Sequence, residues 1–163
     1  MNNIYKKILA PIDGSKNSFT SLAHAASIAA AFNAELGILF VKTAVQQIPM
    51  VAQLNDVYMP EALGNKLLND NYMHEDIITH VNSSDTNVIQ EALSKVPEGV
   101  NVKAFEELGS PAIIIPEFAE ENGYDLIVIG SRGLGVLKGL VLGSVSAYVV
   151  NHASCPVVVV KTQ

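Results

Sequence analysis

Arginine is nearly missing from this chain. Of ten basic residues nine are lysine and one, Arg132, is arginine, against sixteen acidic residues, for a net charge of −6. That balance opposes sequence-independent binding to nucleic acid or to an anionic membrane. Tryptophan is absent and cysteine occurs once, at Cys155, so no disulfide can close within the chain, which fits a reducing compartment. No stretch approaches the roughly eighteen apolar residues of a membrane span, and Met1-Asn-Asn-Ile-Tyr-Lys-Lys lacks the apolar run of a secretory signal. The expectation is a soluble cytoplasmic protein.

Charged residues are also scarce, at 16%, while hydrophobic residues make up 49%, a balance that excludes a disordered or low-complexity chain. At 163 residues the chain has the length of one domain, and a domain of this size buries roughly 70% of its unfolded surface without a disulfide or metal staple. We read residues 1–163 as a single domain.

Along the chain, apolar runs of strand length alternate with segments of helical period. Ile4 to Ile12 (IYKKILAPI) reads as a strand that ends at the turn cluster Pro11-Ile12-Asp13-Gly14-Ser15. Phe19, Leu22, Ala23, Ala26 and Ala30 then recur at helical spacing, with Ser15 or Ser18 as cap and an end near Asn33. Ala34 to Val41 is a second strand. Residues 42–66, with two prolines and two methionines (Met50 and Met59) and no sustained period, read as an irregular loop. Helical matches return from Leu67 to Val96, with Asn82-Ser83-Ser84-Asp85 as an interruption or a cap, and Pro97-Glu98-Gly99 ends them. Val100 to Glu107 alternates as a strand, Pro111 opens a helix closed by Gly123, and Asp125 to Ile129 is a short apolar strand. After a glycine-rich segment, Ser144 to His152 reads as a helix and Pro156 to Val160 as the last strand. The runs DLIVI and PVVVV look like strands buried on both faces.

This alternation predicts an α/β fold: one doubly wound domain with a five-stranded parallel sheet in the order 3-2-1-4-5 and helices on both faces. In such sheets ligands sit beyond the carboxyl ends of the strands, where strand order reverses. If the first and fourth strands are neighbours, Asp13 and Gly130 share that crevice.

Five of the eleven glycines (Gly130, Gly133, Gly135, Gly139 and Gly143) crowd into this neighbourhood, as does Arg132. Glycines let backbone N–H groups approach an anion and adopt positive φ. Gly143-Ser144-Val145-Ser146 opens a helix whose unpaired N–H groups and dipole favour phosphate, with two hydroxyls as further donors and Arg132 and Lys138 as cations. The plain alternative is tight turns with Ser144 as a simple N-cap. A bulky replacement at Gly133 or Gly143 is expected to block phosphate binding without unfolding the chain. No Gly-x4-Gly-Lys-Ser/Thr occurs, and Gly133-x-Gly135-x3-Gly139 misses the dinucleotide pattern by one residue, so neither the P-loop nor the Rossmann motif applies.

The spacing Gly130-x2-Gly133-x9-Gly143-Ser144 resembles the ATP-binding pattern of the universal stress protein family. Ile8 to Ser15, Gly109-Ser-Pro, Asp125 to Gly133 and Cys155 to Val160 fit the family in order, over nearly the whole chain except 42–66. The resemblance implies that Asp13, beside Pro11 and Ile12, contacts the nucleoside, and that the backbone at Val41 reads the adenine. It also implies that Gly130, Ser131, Arg132, Gly133, Leu134, Gly135 and Val136, with Gly143, Ser144, Val145 and Ser146, bind ribose and phosphates. Asp13 has the alternative of capping the helix that follows it.

Elsewhere the sequence points to packing. His24, His74, His80 and His152 form no metal-ligand spacing, Cys155 reads as a small core residue, and Met50 and Met59 as packing residues. The last strand should lie at a sheet edge, where a run of valines invites pairing with another chain; the family resemblance implies a homodimer through Pro156 to Val160.

Three functions stay open at this point. One is a nucleotide-dependent regulatory protein of the stress response binding ATP, with AMP or a cyclic nucleotide as alternatives because a nest reads phosphate more than base. Another is a slow ATP hydrolase or phosphotransferase using Asp13 and Mg²⁺ or Mn²⁺. The last is a dimerisation module without ligand. No histidine or paired carboxylates fall within the motif, which favours the first.

Overall fold

The computed structural model describes residues 4–43, 83–133 and 142–161. Five strands, β1 (Lys7–Ile12), β2 (Glu35–Lys42), β3 (Val102–Leu108), β4 (Leu126–Gly130) and β5 (Val157–Val160), form one parallel sheet in the order β3-β2-β1-β4-β5. The described helices are α1 (Lys16–Phe32), α2 (Ser83–Ser94), α3 (Pro111–Glu121) and α4 (Ser144–His152). This is the order that the alternating pattern predicts. Residues 44–66 of the irregular stretch, Leu67 to Asn82 of the long helical segment, His74 and His80 lie outside the described residues. Among the described residues no helix is long and apolar enough to cross a membrane.

The period of two along each strand divides the core between the two faces of the sheet. Ile8, Ala10 and Ile12 of β1, Leu36, Ile38 and Phe40 of β2, and Leu126 and Val128 of β4 pack with Leu22, Ala25 and Ala29 of α1 and Ala92 of α2. Leu9, Leu39, Val41, Ile127 and Ile129 point the other way, onto Ile115, Phe118 and Ala119 of α3 and Val149 of α4. The alanine stripe of α1 lets that helix lie close to the sheet. Ser15 caps it by accepting from the Ser18 amide, and Asn33, at φ 51° in the left-handed region, ends it.

Three expectations are corrected by the structure, one of a boundary and two of burial. β1 begins at Lys7, not Ile4, which is exposed, because the amides of Lys6 and Lys7 donate to Asp125 Oδ2 at 2.7 and 2.8 Å before the ladder takes over. β4 is buried along its whole length, but β5 is not: Val158 is 39% exposed, since β5 is an edge strand with β4 as its one neighbour in the sheet. Cys155 is half-buried, and that burial pushes its thiol pKa up.

Tyr124 closes the amino end of the second face, stacked near Phe118 with ring centroids 6.0 Å apart. Burial, followed by the carboxylate of Glu35, pushes its hydroxyl up to about 12. The unfolded chain, ionising near its ordinary value of ~10, loses the proton first, so alkali favours unfolding. Stability should therefore fall between about pH 10 and pH 12 in wild type, and the Tyr124→Phe variant should lack that component. Urea midpoints of both proteins across this range check it; parallel curves would refute it.

Candidate functional site

Three of the described helices start at the carboxyl end of the sheet, but their first turns are finished differently. At α1 the N-cap is self-satisfied: Ser15 Oγ accepts from the Ser18 amide at 3.1 Å, while Asp13 Oδ1 accepts from the Ser15 amide at 3.0 Å. At α3 the first position is Pro111, which has no amide hydrogen to offer. At α4 the N-cap is Gly143, with no side chain to cap the first turn. An N-terminal turn left without a capping side chain carries amide donors and the positive end of the helix dipole.

The start of α4 forms one side of a cleft at the carboxyl ends of β1 and β4, where strand order reverses. Pro11, Ile12 and Asp13 from the end of β1, Val41 from β2, and Gly130, Arg132 and Gly133 after β4 line it with Gly143, Ser144, Val145 and Ser146. The fold thus brings eleven of the fifteen sequence-predicted site residues around one space. Ser131 is not among the lining residues: its side chain is buried and its carbonyl faces the start of α4, accepting from the Gly143 amide at 2.7 Å. Leu134, Gly135 and Val136, with Lys138 and Gly139, lie outside the described residues.

Gly130 and Gly133 act by close approach rather than by backbone freedom. Gly130, Gly133 and Gly143 all lack the positive φ that a glycine-rich nest suggests; Gly143 sits at φ −69°. A Cβ at Gly133 would overlap Asp13 Oδ2. One at Gly130 would come within 3.2 Å of the Asn17 carbonyl oxygen, so that glycine seats β4 against the first turn of α1. The missing side chain at Gly133 leaves room for the Asp13 carboxylate to turn toward the loop that follows β4.

Sequence reasoning missed Leu39, Ile129, Pro111, Ile115 and Ser18, which also line the cleft. Strand parity could have found one of them, since Leu39 precedes Val41 by two residues on the same face. Ile115 follows Pro111 by one helical turn. Leu39, Ile129, Pro111 and Ile115 make part of the lining apolar, beside the polar Asp13, Arg132 and start of α4. Such a lining suits a flat heteroaromatic group against the apolar part and an anion at the helix start. Asp13 and Arg132 are the ionisable residues of the described lining, and the described residues contain no group of three His, Cys, Asp or Glu side chains that could hold a metal. Of the histidines, His24 is exposed and His152 stacks on Tyr148 with centroids 3.7 Å apart on the outside of α4.

The sequence pattern of the universal stress protein family matches residues 4–161. Universal stress protein MJ0531 of Methanocaldococcus jannaschii is 37% identical over 98% of this chain and 84% of its own length. Universal stress protein YxiE of Bacillus subtilis is 34% identical over 97% of this chain and all of its own. Among solved structures, a universal stress protein in complex with cAMP is 25% identical, with 96% of each chain covered and a TM-score of 0.62.

Proposed function

We propose that this chain, which belongs to the universal stress protein family, binds an adenine nucleotide in the cleft between β1 and β4 and serves as a nucleotide-dependent regulatory protein of the stress response in the cytoplasm. The nucleotide is ATP on the sequence motif, and the cAMP complex of a relative supports the adenine nucleotide class. The observation that carries the reading is the start of α4, left without a capping side chain, at a cleft lined in part by apolar residues.

In this reading the base lies against Leu39, Val41 and Ile115, and the Val41 backbone reads its edge. The Asp13 carboxylate, an acceptor only, suits the hydroxyls of the ribose. Phosphates take the amides of Ser144 and Val145, the Ser144 hydroxyl and the charge of Arg132, with Leu134 to Val136 completing the loop by sequence. Mg²⁺ or Mn²⁺ would arrive on the phosphates and neutralise their charge. A lining whose acid is Asp13, with no histidine or second carboxylate among its described residues, supports binding rather than turnover.

The test is direct. Protein purified without added nucleotide and then denatured should release an adenine nucleotide identifiable by mass spectrometry, and calorimetry should rank ATP, AMP and cAMP on the emptied protein. No released nucleotide and no binding of any of the three would overturn the reading. Hydrolysis in single turnover with Mg²⁺ that vanishes in Asp13→Ala, while binding persists, would establish the enzyme instead.

The same proposal includes a homodimer through β5. The two edges of the sheet differ in kind. β3 carries Lys103, Glu106 and Glu107, with Lys103 paired to Glu35 at 2.7 Å and Glu106 to Lys42 at 2.6 Å. β5 is four valines without a charge, the kind of edge that pairs with another chain. Sedimentation at micromolar concentration should give twice the chain mass for wild type and the chain mass for Val158→Lys. A wild-type monomer would refute the dimer.

A further inference from the structure

The Ser146 hydroxyl lines the phosphate side of the cleft, yet its proton is already committed. Its Oγ lies 3.0 Å from the Ser131 carbonyl oxygen and 3.0 Å from that of Gly143, and the residue is 3% exposed. A hydroxyl has one proton to give, and both of these neighbours, like a phosphate oxygen, only accept. Ser146 could donate to a phosphate only by releasing them.

What it holds is a junction of three elements. The Ser131 carbonyl, just past β4, accepts both from Ser146 Oγ and from the Gly143 amide at 2.7 Å. The Ser131 amide donates to the carbonyl of Val160, the last residue of β5, at 2.8 Å. Within α4, the Gly143 carbonyl receives both the Ser146 hydroxyl and the Ala147 amide, the latter at 2.9 Å. The end of β4, the end of β5 and the first turn of α4 are thereby tied at one peptide. Ser144 makes no such bond and is exposed at the same helix start.

We propose that Ser146 is a positioning residue: its buried hydroxyl buckles the first turn of α4 to Ser131, so that the amides of this turn are aimed before the nucleotide arrives, and Ser144 is the hydroxyl that meets phosphate. The proposal deepens the nucleotide reading and rests on it. Aligned donors that need no rearrangement on binding raise affinity by lowering the cost of ordering.

The test compares Ser146→Ala and Ser144→Ala with wild type, first without nucleotide and then with ATP and with adenosine. In nucleotide-free Ser146→Ala, amide exchange at Gly143 should speed up about tenfold, the loss of one buried hydrogen bond. ATP affinity of the same variant, measured well below its melting temperature, should fall about tenfold with adenosine affinity unchanged. In Ser144→Ala, ATP affinity should fall while exchange at Gly143 stays at the wild-type rate. Weaker ATP binding in Ser146→Ala with wild-type exchange at Gly143 would make Ser146 a direct ligand and overturn the proposal. Faster exchange with wild-type ATP affinity would reduce it to a stabilising residue and overturn it equally. Wild type that binds neither ATP nor adenosine is a separate result, which sinks the nucleotide reading itself.

Discussion

Gly37→Ala should lower stability by about 3 kcal/mol, the upper part of the usual range for overpacking a core, and the melting temperature by roughly 10 °C. Gly37 lies in the middle of β2, between Leu9 of β1 and Lys103 of β3, on the face covered by α3 and α4. A Cβ there would meet the Tyr124 hydroxyl, with the ring carbons Cζ and Cε1 at 2.6 and 2.8 Å. The ring has little freedom to retreat. Tyr124 is 5% exposed, stacks near Phe118 on one side, and has the Lys7 ammonium 4.8 Å from its centroid. Relief therefore requires shifting a packed aromatic ring or bending a central strand, and interiors at crystal-like density give way to neither cheaply. Removing only the hydroxyl, with Tyr124→Phe, leaves the ring-carbon overlap in place and should rescue little. Gly37→Ala combined with Tyr124→Leu should lose less stability than the two single changes added together, because each change relieves the other. Urea denaturation of the four proteins measures this coupling. A Gly37→Ala protein with the wild-type midpoint would show that the ring can move freely.

Gly37 also shows where sequence reading stops. The run ELGILFV announces a buried strand, but only the fold reveals that Tyr124 fills the space above its glycine. The strand order and helix positions were legible because period two and period 3.6 alternate cleanly and because Ser15, Asn33 and Pro111 carry end signals. What the pattern could not convey was tertiary. Asp125 stops β1 from starting at Ile4 by receiving the amides of Lys6 and Lys7 from across the chain. PVVVV looks as apolar as DLIVI, and although its edge position was expected, composition did not show that this edge leaves Val158 exposed while β4 is buried throughout. At the site, the glycine cluster and the lone arginine were visible, but glycine is chosen both for positive φ and for lack of a Cβ, and sequence does not separate the two reasons. Gly130 and Gly133 use the second. The commitment of the Ser146 proton to Ser131 was equally out of reach, since it is a contact across fifteen residues of chain.

Gly133→Ala should weaken nucleotide binding between about 10- and 100-fold, the equivalent of one lost charge-assisted hydrogen bond, while stability falls by only about 1 kcal/mol. The two effects separate because of what the new methyl group would strike. Its overlap is with Asp13 Oδ2, the end of a short side chain at a cleft wall, and the next contact, Asp13 Cγ, lies at a comfortable 3.6 Å. Gly133 has no positive φ, so alanine adds no backbone strain there. The carboxylate can rotate away at a cost of about one hydrogen bond, well short of unfolding the domain. In doing so it must leave the orientation in which Oδ1 accepts the Ser15 amide at 3.0 Å, and with it the place from which we propose it meets the ribose. Gly143→Ala is the comparison. A Cβ there would find the Ser131 carbonyl oxygen at 3.5 Å and Arg132 Cα at 3.6 Å, ordinary contacts at an ordinary φ, so binding should stay within about threefold of wild type. Larger side chains at Gly143 would extend toward the phosphates and behave like Gly133→Ala. Calorimetric titration of ATP into both alanine variants, with melting curves of each, distinguishes these outcomes. Wild-type affinity in a folded Gly133→Ala protein would remove Asp13 from the site and with it our placement of the nucleotide, whereas a Gly133→Ala protein that melts early would mean the carboxylate is a part of the fold that cannot turn.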